Sequence, residues 1–260
     1  MEARLGIDNP GNFYLEVAKG TVKGHSIIHK FGAATLTTAL RVVSQTGAYQ
    51  TPLAAVLLEV VSDSAADGVG GIGARKVKII GLNSSWEEIE QEIELNGVTP
   101  VAIPVAMIRL YRWFISESGS YADSTTSSHV GNISIQALGA GTVWDTIPVS
   151  PVPTGQSVIG VYTVPIKKTG FLLSKKIFVD SSKAADIFFF QRPFANDVTA
   201  PYKGTRRMIE REVGLAGTLP MDFVSPKGPF VGPCDIGFIG SVSVGTAEAS
   251  VEFELILVDS

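Results

Sequence analysis

Three glycines in the stretch DGVGGIGARKVKII have the spacing of a phosphate-binding turn. Gly68, Gly70 and Gly73 match G-x-G-x-x-G, which in dinucleotide-binding proteins lies between a strand and a helix whose N-terminus faces the pyrophosphate. After Gly73 the sequence ARKVKIIGL alternates charged and apolar residues, so it predicts a strand where the helix would be needed. We therefore expect residues 63 to 74 to form a mobile loop between two antiparallel strands, without a nucleotide or other ligand.

The same loop partly matches a calcium-binding loop. Asp63, Asp67 and Gly68 stand at the first, fifth and sixth positions of an EF-hand sequence. The third position is Ala65, and the twelfth, which should supply a bidentate carboxylate, is Ala74. The sequence therefore predicts no calcium site.

The histidines and the single cysteine do not form a metal-binding pattern. His25 and His29 have the spacing H-x-x-x-H, which on a helix could bind one zinc ion. On a strand the two residues would be about 13 Å apart, too far for one metal, and His129 lies in a separate polar loop. Cys234 excludes an internal disulfide and any multi-cysteine site, and its apolar surroundings predict a small buried side chain.

No local signature of nucleophilic catalysis occurs. The sequence lacks G-x-S-x-G, and GQSVIG has one residue too many between its glycines. We therefore predict no catalytic, cofactor-binding or metal-binding residue, no cofactor, and no enzymatic activity.

The stretch RLYRWF interleaves arginines with aromatic residues. Arg109 and Arg112 alternate with Tyr111 and Trp113, a combination that can stack nucleic-acid bases or form a protein–protein contact. The chain has a net charge of −4 and scattered cations. This balance favours protein contact or core packing, and it predicts no nucleic-acid partner.

The composition indicates a folded protein with a charge-poor surface. Of the 260 residues, 45% are hydrophobic and 18% are charged, below the usual charged fraction of about 25%. Such a composition argues against intrinsic disorder. No run of 18 apolar residues suggests a membrane span, and MEARLGIDNP lacks the apolar region of a secretory signal. We expect no membrane partner and a protein that is made and used without export.

Alternation of apolar and polar residues with a period of two dominates the chain. The C-terminal sequence TAEASVEFELILVDS shows it most clearly, and each alternating segment is bounded by turn residues. The other predicted strands are VLLEVVS, KVKIIGL, IRLYRWFIS, NISIQAL, SVIGVYTVP, GFLLSKKIFVD, DIFFFQRP and DIGFIGSVS. Short strands without alternating long helices predict an all-β fold, an antiparallel β-sandwich that is jelly-roll-like and has little helix.

Four segments leave helix as an alternative. SWEEIEQEIELNG fits either a helix or a strand, and we favour a strand that pairs with KVKIIGL and sets its glutamates against Lys76 and Lys78. HKFGAATLTTALRVV, TPLAAVLLEVV and TRRMIEREVG are weaker helix candidates.

The domain prediction follows from the proline-rich stretch TIPVSPVPTGQ. Residues 1–21 are predicted to be an irregular N-terminal arm, and residues 22–260 to form the β-sandwich region. Two packed halves divided near residues 148–155 remain an alternative to a single sandwich.

Several stretches resemble a family of small virion proteins of tailed bacteriophages. They are GHSIIHKFG, VKIIGLNSSWEEIEQEIELNG, GQSVIGVYTVP, KAADIFFFQRP and ASVEFELILVD, and they extend over most of the chain from about residue 20. The resemblance implies an all-β, jelly-roll-like subunit that is made in the host cytoplasm and assembles into the virion.

Two roles follow from this resemblance. The first is a capsid decoration (cement) protein or another head- or neck-associated protein, which would form a homo-oligomer, most plausibly a trimer, and bind virion proteins such as the major capsid protein. The alternative is a receptor- or glycan-binding module on a tail or fibre, with a host glycan as partner. An enzyme is the third class, and no feature of the sequence supports it.

Overall fold

The computed structural model describes residues 13–120, 128–149 and 155–260. These residues form one short helix, α1 (Phe13–Ala18), and a series of strands. The strands are β1 (His25–Leu36), β2 (Arg41–Val42), β3 (Leu58–Ser62), β4 (Ala74–Asn83), β5 (Glu88–Glu94), β6 (Val101–Ala102), β7 (Met107–Ser118), β8 (Ile133–Ala137), β9 (Val143–Ile147), β10 (Val161–Val164), β11 (Lys168–Val179), β12 (Ala185–Arg192), β13 (Arg207–Leu215), β14 (Gly217–Val231), β15 (Cys234–Val242) and β16 (Ala247–Asp259).

The strands form four antiparallel sheets. Sheet A has the order β1-β16-β11-β14, and sheet B has the order β10-β15-β12-β13 with β2 beside β15. Sheet C has the order β5-β4-β7, and sheet D has the order β6-β3-β8-β9. The all-β, antiparallel class with little helix is therefore confirmed. A jelly-roll sandwich consists of two sheets, so the strand pairing corrects the jelly-roll-like part of the prediction to an arrangement of four sheets.

The alternating C-terminal sequence forms the centre of sheet A. Val251, Phe253 and Leu255 of β16 are buried, whereas the intervening Glu252 and Glu254 are partly exposed. β16 pairs with β1 on one side and β11 on the other. Its apolar face packs into a core that includes Phe238 of sheet B, since the ring centroids of Phe238 and Phe253 are 5.7 Å apart. The period-two pattern thus marks the side of sheet A that faces sheet B.

The glutamate-rich segment forms strand β5, as predicted. β5 pairs with β4, and the Nζ atom of Lys78 lies 2.8 Å from Glu90. Lys76 lies 3.0 Å from Glu117 of β7 and 4.0 Å from Glu94 of β5. Alternating acids on β5 therefore face the lysines of the neighbouring strand, which offsets the repulsion between successive glutamates.

The weaker helix candidates are strands. HKFGAATLTTALRVV holds most of β1 and all of β2, TPLAAVLLEVV leads into β3, and TRRMIEREVG forms most of β13. The prediction of an irregular arm over residues 1–21 is wrong for the helix α1, and residues 1–12 lie outside the described part. Phe13 and Val17 of α1 pack with Ile27 and Ile256 of sheet A. This apolar contact explains why the segment is ordered as a helix rather than an irregular arm.

Two of the sheets come from one continuous stretch of the chain, and the other two combine strands from its start and its C-terminal half. Sheets C and D are built from residues between Leu58 and Ile147. Sheets A and B combine β1 and β2 with every strand from β10 onward, so the start of the chain joins its C-terminal half. The chain passes from sheet D to sheet B between β9 and β10, and residues 150–154 there lie outside the described part.

In the described residues, no helix has the length and apolarity that a membrane span requires.

Candidate functional site

The glycine loop, residues 63–74, does not form a phosphate-binding turn. The chain leaves it as strand β4, as the sequence predicts, and not as a helix. The expectation of a mobile loop between two paired strands is wrong, because β3 belongs to sheet D and β4 to sheet C. Gly68 forms a β-bridge with Asn96, and the amide of Gly73 donates to the carbonyl of Ala66 over 3.0 Å. The loop therefore connects two sheets and is held at several points.

Asp67 is the centre of this loop. Its carboxylate is fully buried, and its Oδ1 atom accepts from the backbone amides of Ala74 and Val130, at 2.8 and 2.9 Å. Its Oδ2 atom accepts from the Ser62 hydroxyl at 2.7 Å and from the Gly131 amide at 2.8 Å. The four donors occupy both oxygens, so the structure gives this partial match to a calcium loop a structural role in place of a metal.

A close packing requirement explains one of the glycines. A Cβ atom at Gly73 would lie 2.1 Å from Oδ1 of Asp67, well inside van der Waals contact. Glycine is required there because the buried carboxylate occupies the space of a side chain.

The three histidines and the cysteine do not form a common site. His25 and His29 lie on the single strand β1, and His29 contacts Glu252 at 2.9 Å. His129 is buried, with Nε2 3.2 Å from the carbonyl oxygen of Pro148. Burial raises the pKa of the Cys234 thiol to about 12, so this side chain is a buried apolar group and not a thiolate. The described residues include no group of three or more potential metal ligands.

Arg109 and Asp235 form a buried ion pair between sheets C and B. Nε of Arg109 lies 3.0 Å from Oδ1 of Asp235, and its Nη2 atom lies 3.1 Å from Oδ2. Thr163 also donates to Asp235 at 2.7 Å, and the guanidinium stands 4.7 Å from the centroid of the Trp86 ring. Tyr49 lies within hydrogen-bonding distance of Thr163. This network explains RLYRWF: Arg109 is a core residue, and the prediction of core packing is confirmed for it.

A cleft of about 310 Å³ lies along the free edge of β1, and we call it the basic cleft. Its wall combines His29, Lys30 and Phe31 of β1 with Glu252 of β16, Arg112 of β7, and the segment Gln156–Ser157. Two of its residues, Lys30 and Arg112, are basic. We take this cleft as the candidate site because it brings a buried lysine and an exposed arginine together.

Lys30 is unusual because it points inward from an edge strand. Only 4% of the residue is exposed, and its ammonium donates to the backbone carbonyl of Tyr111. Burial lowers the pKa of Lys30 to about 7, and the nearby Arg112 contributes in the same direction. Since the ammonium has three donors, the single bond to Tyr111 leaves two donors without a partner among the described residues.

Asp145 is a second buried ionisable group behind the basic cleft. Its Oδ2 atom accepts from Nε1 of Trp113 at 2.8 Å, and Oδ1 has no hydrogen-bond partner among the described residues. Burial raises the pKa of Asp145 from 3.8 to about 7, while the Lys30 charge acts in the opposite direction. Lys30 and Asp145 therefore both lie close to the midpoint of their titration at neutral pH.

Replacing Asp145 with asparagine is expected to remove one component of the pH dependence of stability. Between pH 3.8 and about 7, folded Asp145 keeps a proton that the unfolded chain releases. Its contribution to stability is therefore present at low pH and is lost as the pH rises through about 7. Urea unfolding from about pH 4 to about pH 8 should show wild type losing stability relative to Asp145→Asn as the pH rises. A difference that does not change with pH would contradict the assignment.

The sequence did not identify Lys30 or Asp145 as notable residues. A signal was present for Lys30: it shares the inward-facing parity of Ala34 and Leu36 on β1, which are both buried. A charged residue at an apolar position of an alternating strand marks a buried charge. No comparable local signal marks Asp145, because its burial depends on Trp113 of another sheet.

The chain matches no family model and no curated protein sequence. Among solved structures, it is similar to a chain of infectious bursal disease virus, Gx strain, at 13% identity and a TM-score of 0.24, over 91% of this chain and 71% of that chain. The T=1 particle derived from infectious bursal virus gives 13% identity and a TM-score of 0.24, over 91% and 70%. The PBSX exported protein XepA gives 12% identity and a TM-score of 0.19, over 87% and 86%. With TM-scores this low, these likenesses to viral particles and an exported protein carry no argument about function.

Proposed function

We propose that this protein is a structural component of a tailed-phage virion. It would act as a capsid decoration (cement) protein or as another head- or neck-associated protein, by self-assembly and by binding other virion proteins. The proposal draws on the resemblance of most of the sequence to tailed-phage virion proteins. The antiparallel all-β architecture and the charge-poor composition are compatible with a subunit whose surface is covered by its neighbours.

One structural observation carries the proposal: the two edge strands β13 and β14 expose apolar side chains. β13 ends sheet B, β14 ends sheet A, and the two strands are joined through Ala216. Val213 on β13 is 65% exposed, and Val224 on β14 is fully exposed. Free strand edges with apolar residues favour association with another chain. We call this surface the β13–β14 edge, and we assign it to contacts between subunits.

Replacing Val213 with lysine is expected to weaken self-association. Wild-type protein should elute with a mass that is a multiple of 27.5 kDa, with a trimer favoured, and the variant should shift toward the monomer. The reason is that a lysine in the contact must lose its hydration. Size-exclusion chromatography with light scattering measures the masses. The matched control is Val244→Lys, since Val244 is similarly exposed, at 74%, in the turn between β15 and β16.

A monomeric wild type, or equal behaviour of the two variants, would remove self-association through the β13–β14 edge from the proposal. In the first case the surface could still bind a different virion protein. Binding of the purified chain to capsids that lack it would then be the measurement, with the same pair of variants as probe and control.

The virion role itself is tested by quantitative mass spectrometry of purified virions. A copy number close to that of the major capsid protein indicates decoration, and a few copies per virion indicate a neck or tail position. Absence from purified virions would overturn the proposal. Saturable binding on a glycan array would instead favour the alternative, a receptor- or glycan-binding module on a tail or fibre. The proposal assigns no catalytic activity to the chain.

A further inference from the structure

The basic cleft is placed where two parts of the fold meet. β1 is the end strand of sheet A, and its Ala33 amide donates to the carbonyl of Val158 over 3.2 Å. This bond joins the edge of sheet A to the segment that follows Gln156 and Ser157. Ser157 is fixed in turn, because its hydroxyl accepts from the backbone amide of Trp113 at 3.0 Å. The wall of the cleft is therefore built from backbone segments that are held by hydrogen bonds.

The charges around the basic cleft are unbalanced. Arg112 is exposed, stacks 5.5 Å from the centroid of the Phe114 ring, and forms no ion pair with a described residue. Lys30 is buried and also lacks a carboxylate within ion-pair distance among the described residues. The one acid in the wall, Glu252, contacts His29 at 2.9 Å. The cleft thus presents Arg112 without a counterion among the described residues, beside Lys30, whose charge interacts with the nearby Asp145.

Buried or half-buried cations without partners are costly, and an oxyanion would satisfy them. A buried ammonium with unused donors carries a desolvation penalty that protein interiors normally offset with a hydrogen-bonded partner. Arginine presents a planar fork that matches the two oxygens of a carboxylate or phosphate. The volume of about 310 Å³ is at the lower end of the range for small-molecule sites, which begins at about 300 Å³.

We propose that the basic cleft is a binding site for an oxyanion, a carboxylate or phosphate group held between Arg112 and Lys30. Arg112 supplies the exposed fork at the mouth, and Lys30 supplies a buried amino group with unused hydrogen-bond donors at the wall. The inference concerns the chemistry of this cleft and does not depend on the virion role.

The test is a titration of the full chain with three probes: inorganic phosphate, acetate and glucuronate. Heteronuclear NMR follows the Arg112 side-chain NεH signal and the Ser157 amide. We expect saturable binding with a dissociation constant in the millimolar range, and at least about a ten-fold weakening in Arg112→Ala. Lys30→Met should weaken binding similarly. The matched control is Arg207→Ala, since Arg207 is also exposed and lies on β13, the end strand of sheet B.

Each outcome decides one point. Saturation with phosphate alone identifies a phosphate site, and saturation with acetate and glucuronate identifies a carboxylate site. If the spectra do not saturate, or if Arg207→Ala weakens binding as much as Arg112→Ala, the proposal is overturned. Arg112 is exposed, so its variant tests the site even if Lys30→Met fails to fold. Virion mass spectrometry reports separately on the virion role, so the two proposals can fail independently.

Discussion

Replacing Arg109 with alanine is expected to lower the free energy of unfolding by about 3–5 kcal/mol, because the variant leaves the buried carboxylate of Asp235 without its partner. Both side chains are almost completely buried, at 1% and 2% exposure, and the pair is bidentate. Without Arg109, the buried Asp235 carboxylate keeps the Thr163 hydrogen bond and the more distant Arg192, whose Nη1 atom lies 3.9 Å away, and these do not replace a bidentate counterion. Urea unfolding followed by tryptophan fluorescence measures the loss.

An exposed pair of the same chemistry is the matched control. Arg211 and Asp186 lie 3.0 Å apart, but their side chains are 57% and 32% exposed. We expect Arg211→Ala to cost less than about 1 kcal/mol, since water replaces the lost partner. Equal losses in the two variants would contradict the structural assignment of Arg109. The double variant Arg109→Met, Asp235→Leu should recover stability relative to Arg109→Ala, because it removes the buried carboxylate together with its partner and leaves only the partly exposed Arg192 without its acid.

Replacing Asp67 with asparagine is expected to lower the free energy of unfolding by about 3 kcal/mol, because hydrogen bonds to a charged group contribute about 1.5–3 kcal/mol each. An asparagine has one accepting oxygen, whereas the Asp67 carboxylate accepts on both. The asparagine amide would face either the Gly131 amide or the amides of Ala74 and Val130. Thermal and urea unfolding measure the change.

The control for Asp67 is Asp222→Asn on the edge strand β14. Asp222 is exposed and makes no side-chain hydrogen bond with a described residue. The charge change is the same in both variants, so a selective effect at Asp67 isolates its hydrogen bonds. Limited proteolysis should also show new cleavage in the glycine loop of Asp67→Asn alone. Unchanged stability in that variant would show that the loop does not depend on the carboxylate.

Local patterns predicted most of the strands because the residues of this chain alternate clearly. Most of β16 and β5 alternates between apolar and polar residues, and each strand has one face toward a core or a neighbouring strand. β14 was missed because Pro220, Pro226 and Pro229 argue against a strand. β14 tolerates them because it is the end strand of sheet A, where one row of backbone groups needs no partner.

The interior polar groups could not be predicted because their partners are distant in sequence. Gly131 donates to Asp67 across 64 positions, and Arg109 pairs with Asp235 across 126. Glycines and aspartates in the loop favoured mobility on local grounds, and RLYRWF favoured several uses equally. The basic cleft is similar, since it brings together residues of β1, β7 and β16 with the segment before β10. Only the pairing of strands places these side chains near each other.

The pairing of β1 with β16 sets an order for folding during synthesis. β1 is paired along its whole length with β16, from His25 opposite Val258 to Leu36 opposite Ala247, and it has no other strand partner among the described residues. Among the described strands, the ribosome makes β1 first and β16 last, so sheet A cannot close until β16 has emerged. During that interval the apolar face of β1 stays open to association with other nascent chains. Pulse-labelled hydrogen exchange on ribosome-bound chains of increasing length should therefore show sheets C and D protected before β1.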